Sequence, residues 1–475
     1  MDRETLAAQG RALRTKEELL DLLNAVKRDE MAACGLAGSY HPFEMRLLNY
    51  CCNPNNERRR YRRFEIAKKS GGRRQIAAPG SRAYLSLLRC VNVLFKALYA
   101  PSEHAMGFAE GRSVADNAAA HCGQNYVYNV DLKDFFPSIA QARVWKRLQL
   151  PPLSLRQPVA NVLAGLCAIK EGSGPGASYV LPQGAPTSPI VTNMVCDRLD
   201  RRLAGLARRF GVRFTRYADD ITFSSMHNVY HRNGEFCREL RRIVEGQGFA
   251  LNEGKTRLQK RGGRQEVTGL VVNERPNVPR RYLREVRGLL HIWERHGYGE
   301  ATKRLYPRYR REKGHTKRGV PALENLLEGK LMYLKMVRGG DDGAYRALAA
   351  RFAALAAELR DGGEGLRSMS TETVADFERR QGTEVSFVVR EAGDGGAPAR
   401  RHARFALEGS AETASVARRL PPEALGRKEE LLISLCRRGG GKPFWLVHGA
   451  DWSFRGPEAA VDVDALNAEL DELLK

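Results

Sequence analysis

The sequence predicts an α+β fold centred on an antiparallel sheet of the split β-α-β kind backed by helices. Three observations carry this expectation. Between about residues 126 and 273, stretches of period two alternate with stretches of period three to four. Two period-two runs flank a tight turn in "RFTRYADDITFSS", residues 213–225. A long amphipathic run separates that hairpin from the strand before it.

The elements follow in order. Thr15 and Glu18 stand in capping-box register before an apolar periodic run, which starts a helix. The stretch "NNERRRYRRFEIAKKSGGRRQIAAPGSR" is dense in cations and broken by Gly71-Gly72 and Pro79-Gly80. It reads as a loop or hairpin exposed to a phosphate-bearing partner, and Phe64, Ile66 and Ile76 argue against a merely solvated arm. "YVYNVD" alternates Tyr126, Tyr128 and Val130 and ends at Asp131, a strand signal. Ser138 and Gln141 repeat the capping-box spacing and open a helix through "AQARVWKRLQL". Ser188 and Pro189 suit an N-cap and a first turn, and Val191, Val195, Leu199, Leu203 and Leu206 then form one apolar helix face. A helix near 235–247 and strands at "FALN" and "EVTGLVVN" complete a β-α-α-β-β-α-β order. Residues 279–337 are helical and strongly basic. Glycine-rich runs at 339–343 and 361–365 punctuate the chain, and a domain boundary is expected near 365. Beyond it, "EVSFVVR", "ARFALEG" and "PFWLVHG" read as strands and "VDALNAELDELL" as a helix, predicting a small C-terminal α+β domain.

Composition narrows the functional classes. At 475 residues and 43% hydrophobic content the chain can build several cores. It has no apolar run of membrane-spanning length and no signal-like start, so a soluble cytoplasmic protein without membrane contact is expected. Nine cysteines, an odd number without a C-x-x-C pair, suggest neither a disulfide framework nor zinc. The net charge is +23, and residues 366–475 carry 16 Lys and Arg against 18 Asp and Glu, so the excess, +25, belongs to residues 1–365. Such a surface gains affinity for a phosphate backbone by displacing condensed counterions.

Neighbouring side chains on a straight strand face opposite ways, so Asp219 and Asp220 can serve one site only at a bend. Carboxylates held close repel one another unless a cation intervenes, and hard oxygen ligands suit Mg²⁺. Asp131, ending its own strand, supplies a third carboxylate. Three could hold two Mg²⁺ ions, which would activate a 3′-hydroxyl and stabilise a pyrophosphate leaving group. An Asp-Asp pair alone is an ordinary solvated turn; its company decides.

That company resembles the reverse transcriptase family over about residues 40–340. "NVDLKDFFPSI" is similar to the first palm motif, "LPQGAPTSPIVTN" to the second and "YADD" to the catalytic third. The resemblance implies a right-hand polymerase: an N-terminal helical segment 1–39, fingers 40–125, palm 126–278 with a fingers insertion at about 140–185, and a basic helical thumb 279–345, before the domain at 366–475. It implies metal binding by Asp131, Asp219 and Asp220 with the Leu132 carbonyl as a further ligand, and dNTP substrates. Phe136 matches the steric-gate position, Gln183 and Gly184 the segment against the nascent base pair, and Lys255 a lysine that protonates or neutralises departing pyrophosphate. Arg74, with Lys68 or Lys69, matches the cation that grips the triphosphate.

Two smaller signatures resemble those of bacterial retron reverse transcriptases: "NAAAH", with Asn117 and His121, and "VTG", Val267, Thr268 and Gly269. Taken singly, they also suit a helix cap, a buried polar residue and a tight turn. The retron resemblance implies a cognate structured noncoding RNA, priming from the 2′-hydroxyl of an internal guanosine, a branched RNA-linked single-stranded DNA product, and antiphage defence beside a toxic effector protein. The expected RNA contacts are Asn117, His121, Val267, Thr268, Gly269, Arg280, Arg281 and Arg284. Residues 366–475 could be an effector, a docking module or an RNA-binding addition. The alternatives are a group II intron-like, diversity-generating or abortive-infection reverse transcriptase, or a noncatalytic RNA-binding scaffold.

Overall fold

The computed structural model describes residues 1–56, 60–67, 71–313, 320–361, 366–373, 375–376, 379, 385–390, 402–407, 413–415, 432–438 and 444–448. The chain divides into two compact units, Met1–Asn277 and Val278–Lys475. Lys68, Lys69 and the helix expected at "VDALNAELDELL" lie outside the described residues. No described helix is long and apolar enough to cross a membrane.

The first unit opens with helices α1 (Arg3–Ala12), α2 (Lys16–Ala33) and α3 (Met45–Cys52). α2 starts at the expected capping box, with Thr15 and Glu18 each accepting from the other's backbone. The cationic stretch is an antiparallel hairpin, β1 (Tyr61–Ala67) and β2 (Arg73–Pro79), followed by α4 (Arg82–Leu98) and the short α5 (Val114–Ala119). Its cations do not all face outward. Arg60, at the base of the hairpin, is buried, and its guanidinium donates to the Gly165 and Ala168 carbonyls and the Tyr84 hydroxyl.

The central sheet comprises β3 (Tyr126–Asp131), β6 (Arg213–Tyr217), β7 (Asp220–Ser225) and β8 (Arg257–Lys260), in the order β6-β7-β3-β8 and antiparallel throughout. Between β3 and β6 lie α6 (Gln141–Gln149), α7 (Gln157–Leu166), the small hairpin β4 (Ile169–Glu171) with β5 (Ser178–Val180), and α8 (Ser188–Arg209). α9 (Glu235–Glu245) and the two-residue strands β9 (Glu266–Val267) and β10 (Leu270–Val271) close the unit.

Register sorts the sheet into two faces. Tyr128, Val130, Phe214, Ile221, Phe223 and Leu258 share the face toward the helices. There Phe223 stacks on Phe214 at 5.2 Å between ring centroids and meets Phe236 of α9 edge-on at 5.1 Å. Asn129, Asp131, Thr215, Asp220, Thr222, Ser224, Arg257 and Gln259 share the other, polar face.

Three local expectations differ from the structure. The fourth strand is not "FALN": Leu251 makes only a single bridge to Leu132, and Arg257–Lys260 takes the edge. Ser138 does not cap α6. Its hydroxyl bonds the Phe135 carbonyl within a turn, and the cap is Ala140, two residues after the predicted one, with the helix beginning at Gln141. Ser188 lies just inside α8 and spends its hydroxyl on the Pro182 carbonyl, leaving Thr187 at the cap.

The second unit contains α10 (Arg280–Lys313), interrupted by non-helical Gly297, then β11 (Val320–Pro321), α11 (Leu323–Arg338) and α12 (Gly343–Asp361). The strands β12 (Leu366–Thr373), β13 (Val385–Arg390), β14 (His402–Leu407), β15 (Thr413–Ser415), β16 (Leu432–Arg438) and β17 (Phe444–His448) follow. One sheet runs β11-β12-β16-β17, so a strand from before residue 365 is built into the sheet that follows it. The Tyr306 hydroxyl of α10 strengthens this join, accepting from the Thr373 amide at 3.0 Å.

Candidate active site

Tyr217 pairs with Asp220, leaving Ala218 and Asp219 as a two-residue loop between β6 and β7. Ala218 has φ +58, as the tight turns that suit twisted hairpins require at their first loop residue. Asp131 is the direct cross-strand partner of Asp220, so both carboxylates leave the same face at the same level. The Leu132 amide donates to the Asp219 carbonyl at 3.0 Å, fixing the loop to the end of β3. The three aspartates separated by 88 positions of sequence are thereby gathered at one edge of the polar face.

The segment after α9 completes the arrangement. The Asn252 amide donates to the Asp131 carbonyl at 2.8 Å, and its side-chain nitrogen to Asp131 Oδ2 at 3.0 Å. Lys255 Nζ donates to Asp131 Oδ1 at 2.8 Å. This contact raises the Lys255 pKa, chiefly by the hydrogen bond, so the amine keeps its proton throughout neutral pH. Crowding by the surrounding protein, then Asp219 and Asp131, pushes Asp220 up to about 6 although its side chain is open to solvent on one side. Asp219 is also raised, first by burial and then by Asp131. Lys255 opposes both shifts, helped by Arg74 at Asp219 and Arg257 at Asp220. Mutual repulsion among hard oxygen donors is the situation a divalent cation relieves, so the donor chemistry fits such an ion. Among the described residues, no three His, Cys, Asp or Glu side chains are already drawn together around one point. Asp131 instead gives its oxygens to Lys255 and Asn252.

The other expected residues divide. Arg74, on β2, is exposed and acts on Asp219. The Gln183 carbonyl accepts from the Ala77 amide at 2.8 Å, which ties the second motif to β2. Gly184 has φ +127, and a Cβ there would lie 2.8 Å from Ile76 and 2.9 Å from the Ala77 carbonyl; the close approach that requires glycine is to the chain's own hairpin. Phe136 is half-buried, edge-on to the buried Phe135 with centroids 5.6 Å apart. Arg280, Arg281 and Arg284 occupy the first turns of α10 in the second unit.

Asn117, His121 and Val267, expected against RNA, are interior. His121 Nε2 lies 2.7 Å from Thr215 Oγ1 and its Nδ1 2.7 Å from Ser224 Oγ. Because the Thr215 hydroxyl donates to Asn117 Oδ1 at 2.6 Å, Nε2 carries the imidazole proton and Nδ1 accepts. Burial, with a smaller push from Arg213, lowers the His121 pKa to about 3, so the ring is neutral. The Asn117 amide continues to Thr268 Oγ1 at 3.4 Å. Thr268 and Gly269 form the two-residue loop between β9 and β10, with φ +47 and +82. A β-branched residue is strained there, and Asn117 helps to hold it. The two small signatures are therefore opposite ends of one buried network on the polar face of the central sheet; of its members only the Thr268-Gly269 loop reaches the surface.

Sequence reasoning missed Asn252 and Arg257. Both follow from the misplaced fourth strand, since the alternation that puts Arg257 on the polar face is visible only once Arg257–Lys260 is taken as the strand.

The chain is similar to proteins of known family. A family profile described as "Reverse transcriptase (RNA-dependent DNA polymerase)" matches residues 66–280. The retron Mx65 reverse transcriptase of Myxococcus xanthus is 41% identical over 263 residues, covering 52% of this chain and 59% of that protein. Retron Mx162 reverse transcriptase from the same organism is 36% identical, covering 49% and 52%. The chain thus spans between half and three-fifths of the length of these two relatives. Retron Ec86 reverse transcriptase of Escherichia coli is 34% identical over 239 residues, 49% of this chain and 69% of that protein. With a relative 34% identical over 69% of its own length and a family profile over residues 66–280, the chain belongs to the retron reverse transcriptases.

Proposed function

We propose that the protein is an RNA-directed DNA polymerase that binds a cognate structured noncoding RNA and copies part of it into DNA. The observation that carries this is the register of Asp131 with Asp220, with Asp219 in the adjoining loop and Lys255 on Asp131. Asp131, Asp219 and Asp220 would hold divalent cations, expected to be two Mg²⁺, with the Leu132 carbonyl as a further ligand. Such ions supply Lewis-acid activation of the attacking hydroxyl and neutralise charge on the leaving pyrophosphate.

The chain's own residues do the rest. Arg74 would bind the triphosphate of the incoming dNTP from the β1–β2 hairpin. Gln183 would face the nascent base pair, with Gly184 keeping that segment against β2. Phe136 would close off the 2′-position, and Lys255 would give a proton to the departing pyrophosphate or balance its charge. The first turns of α10, with Arg280, Arg281 and Arg284, would meet RNA phosphates, and so would the Thr268-Gly269 loop of the first unit. In the finer reading, synthesis starts at the 2′-hydroxyl of an internal guanosine, gives a branched RNA–DNA molecule in the bacterial cytoplasm, and serves antiphage defence with an effector protein.

The test has two parts. Asp219→Ala or Asp220→Ala should abolish DNA synthesis while RNA binding persists, and either variant extending a primer at the wild-type rate would end the polymerase assignment. Sequencing the nucleic acid that copurifies with the wild-type protein should reveal a covalent RNA–DNA branch; linear products alone would exclude branching.

A further inference from the structure

The placement of Asp219 depends on a conformation that its neighbour does not favour. Ala218 holds φ +58, a left-handed geometry that costs a residue bearing a Cβ about 1 kcal/mol or more. Its methyl group can make no polar contact to hold it there, and such conformations persist only where the surroundings over-determine them.

The surroundings are on the helix-facing side of the sheet. Arg216 is fully buried (0% exposed), as is Asp200 of α8 (1%). The Arg216 guanidinium donates from Nε to Asp200 Oδ1 at 2.6 Å and from Nη2 to Asp200 Oδ2 at 2.7 Å. Nη2 also reaches Asn193 Oδ1 at 3.0 Å, and Nη1 donates to the Ala218 carbonyl at 3.1 Å. Asn193, likewise buried on α8, turns its side-chain nitrogen to the Gly107 carbonyl at 3.0 Å. The strand-like segment 104–107 lies along Arg216, with the Arg216 amide donating to the His104 carbonyl and the Met106 amide to the Arg216 carbonyl, both at 2.8 Å. It passes so close that a Cβ on Gly107 would lie 2.6 Å from the Ala218 nitrogen and 3.0 Å from the Tyr217 carbonyl carbon.

We propose that Arg216 is the positioning residue of the catalytic loop, seated by Asp200 and Asn193, and that Gly107 forms the surface on which the loop rests. One guanidinium fork joins a helix to the loop carbonyl, and the missing side chain at 107 lets the backbone close beneath it. Together they hold Ala218 left-handed and so set where Asp219 stands relative to Asp131 and Asp220. A buried ion pair gains little stability over an apolar replacement. Its return here is geometric, because the fourth donor of the fork is spent on the loop. The inference rests on the reading of these carboxylates as a nucleotidyl-transfer centre.

Two variants press on the loop from different sides. Arg216→Lys keeps the charge and can still pair with Asp200, but a single ammonium lacks the fork that reaches Asp200, Asn193 and Ala218 in one plane. Gly107→Ala removes no polar group and pushes only on the hairpin backbone. The assay is steady-state extension of oligo(dT) on poly(rA) with dTTP, with rates expressed per molecule that binds the primer–template, so that unfolded protein does not count. The expected result for both is a kcat lowered at least about 10-fold, since a 1 Å misplacement can cost 100-fold, with KM for dTTP within about threefold of wild type and primer–template affinity unchanged. Wild-type kcat in either variant overturns the proposal, as does a fall in kcat matched by an equal fall in primer–template affinity. If Arg216→Lys does not fold, Gly107→Ala decides alone. Inactivity of the wild-type protein on this substrate would instead overturn the polymerase reading on which the inference stands.

Discussion

Replacing Lys255 by alanine should cost catalysis far more than stability. The Lys255 side chain is 58% exposed and its ion partner Asp131 only 7%, with 2.8 Å between Nζ and Oδ1. Water reaches the ammonium, so the pair is worth about 0.5–1 kcal/mol to the fold. Asp131 also keeps the Asn252 side-chain nitrogen at 3.0 Å when the lysine is gone. In a unit of this size, 1 kcal/mol moves Tm by about 2–4 °C. The catalytic loss is set by different physics, because a positioned proton donor contributes about 10²- to 10⁴-fold. Lys255 is suited to that role, since Asp131 holds its pKa above the ordinary lysine value and the amine enters each cycle protonated. Single-turnover incorporation of dTTP on oligo(dT)–poly(rA), alongside thermal melts, measures both quantities. Lys255→Arg then separates the two roles: arginine keeps the charge but does not release a proton, so it should be as slow as alanine if Lys255 is the acid and recover if charge alone matters. An alanine variant at the wild-type rate, or one whose Tm falls by more than about 10 °C, would refute the argument.

Phe136→Val should raise ribonucleotide incorporation relative to dNTP by about tenfold or more, read as the ratio of kcat/KM values; an unchanged ratio would return the ring to a packing role beside Phe135. His121 should make the fold acid-sensitive. Its pKa in the fold, about 3, lies below the ordinary value of 6.5, so its contribution is complete above about pH 6.5 and is lost as pH falls below it, by about 1.4 kcal/mol per unit. Urea melts from pH 7 to 5 should show this slope in wild type and not in His121→Gln, and parallel curves would exclude it.

The gathering of the three aspartates was legible because its signals are local. A period-two alternation broken by Ala218-Asp219 names a hairpin, and Asp131 ends a strand of the same kind. Polar residues that serve the interior carry no such mark. Asn117 and His121 have the composition of surface or ligand-binding residues, and only the Thr215, Ser224 and Thr268 hydroxyls around them explain their burial. The fourth strand was misread because "RLQK" has one apolar side chain, Leu258, facing the helices, whereas "FALN" offers two in alternation. Arg216 and Asp200, sixteen positions apart on a strand and a helix, look like two of many surface charges until the fold removes both from water.

The four-stranded sheet in which Val320–Pro321 lies along Ser370–Thr371 bears on how this protein could be engineered or shuffled. A chain cut after residue 365 would leave an edge strand without its mate and take away the Thr373 amide that binds the Tyr306 hydroxyl. The segment beyond 365 is therefore no detachable cassette. A graft between relatives has to carry the helices from 280 onward together with it, exchanging everything after Asn277 as one piece.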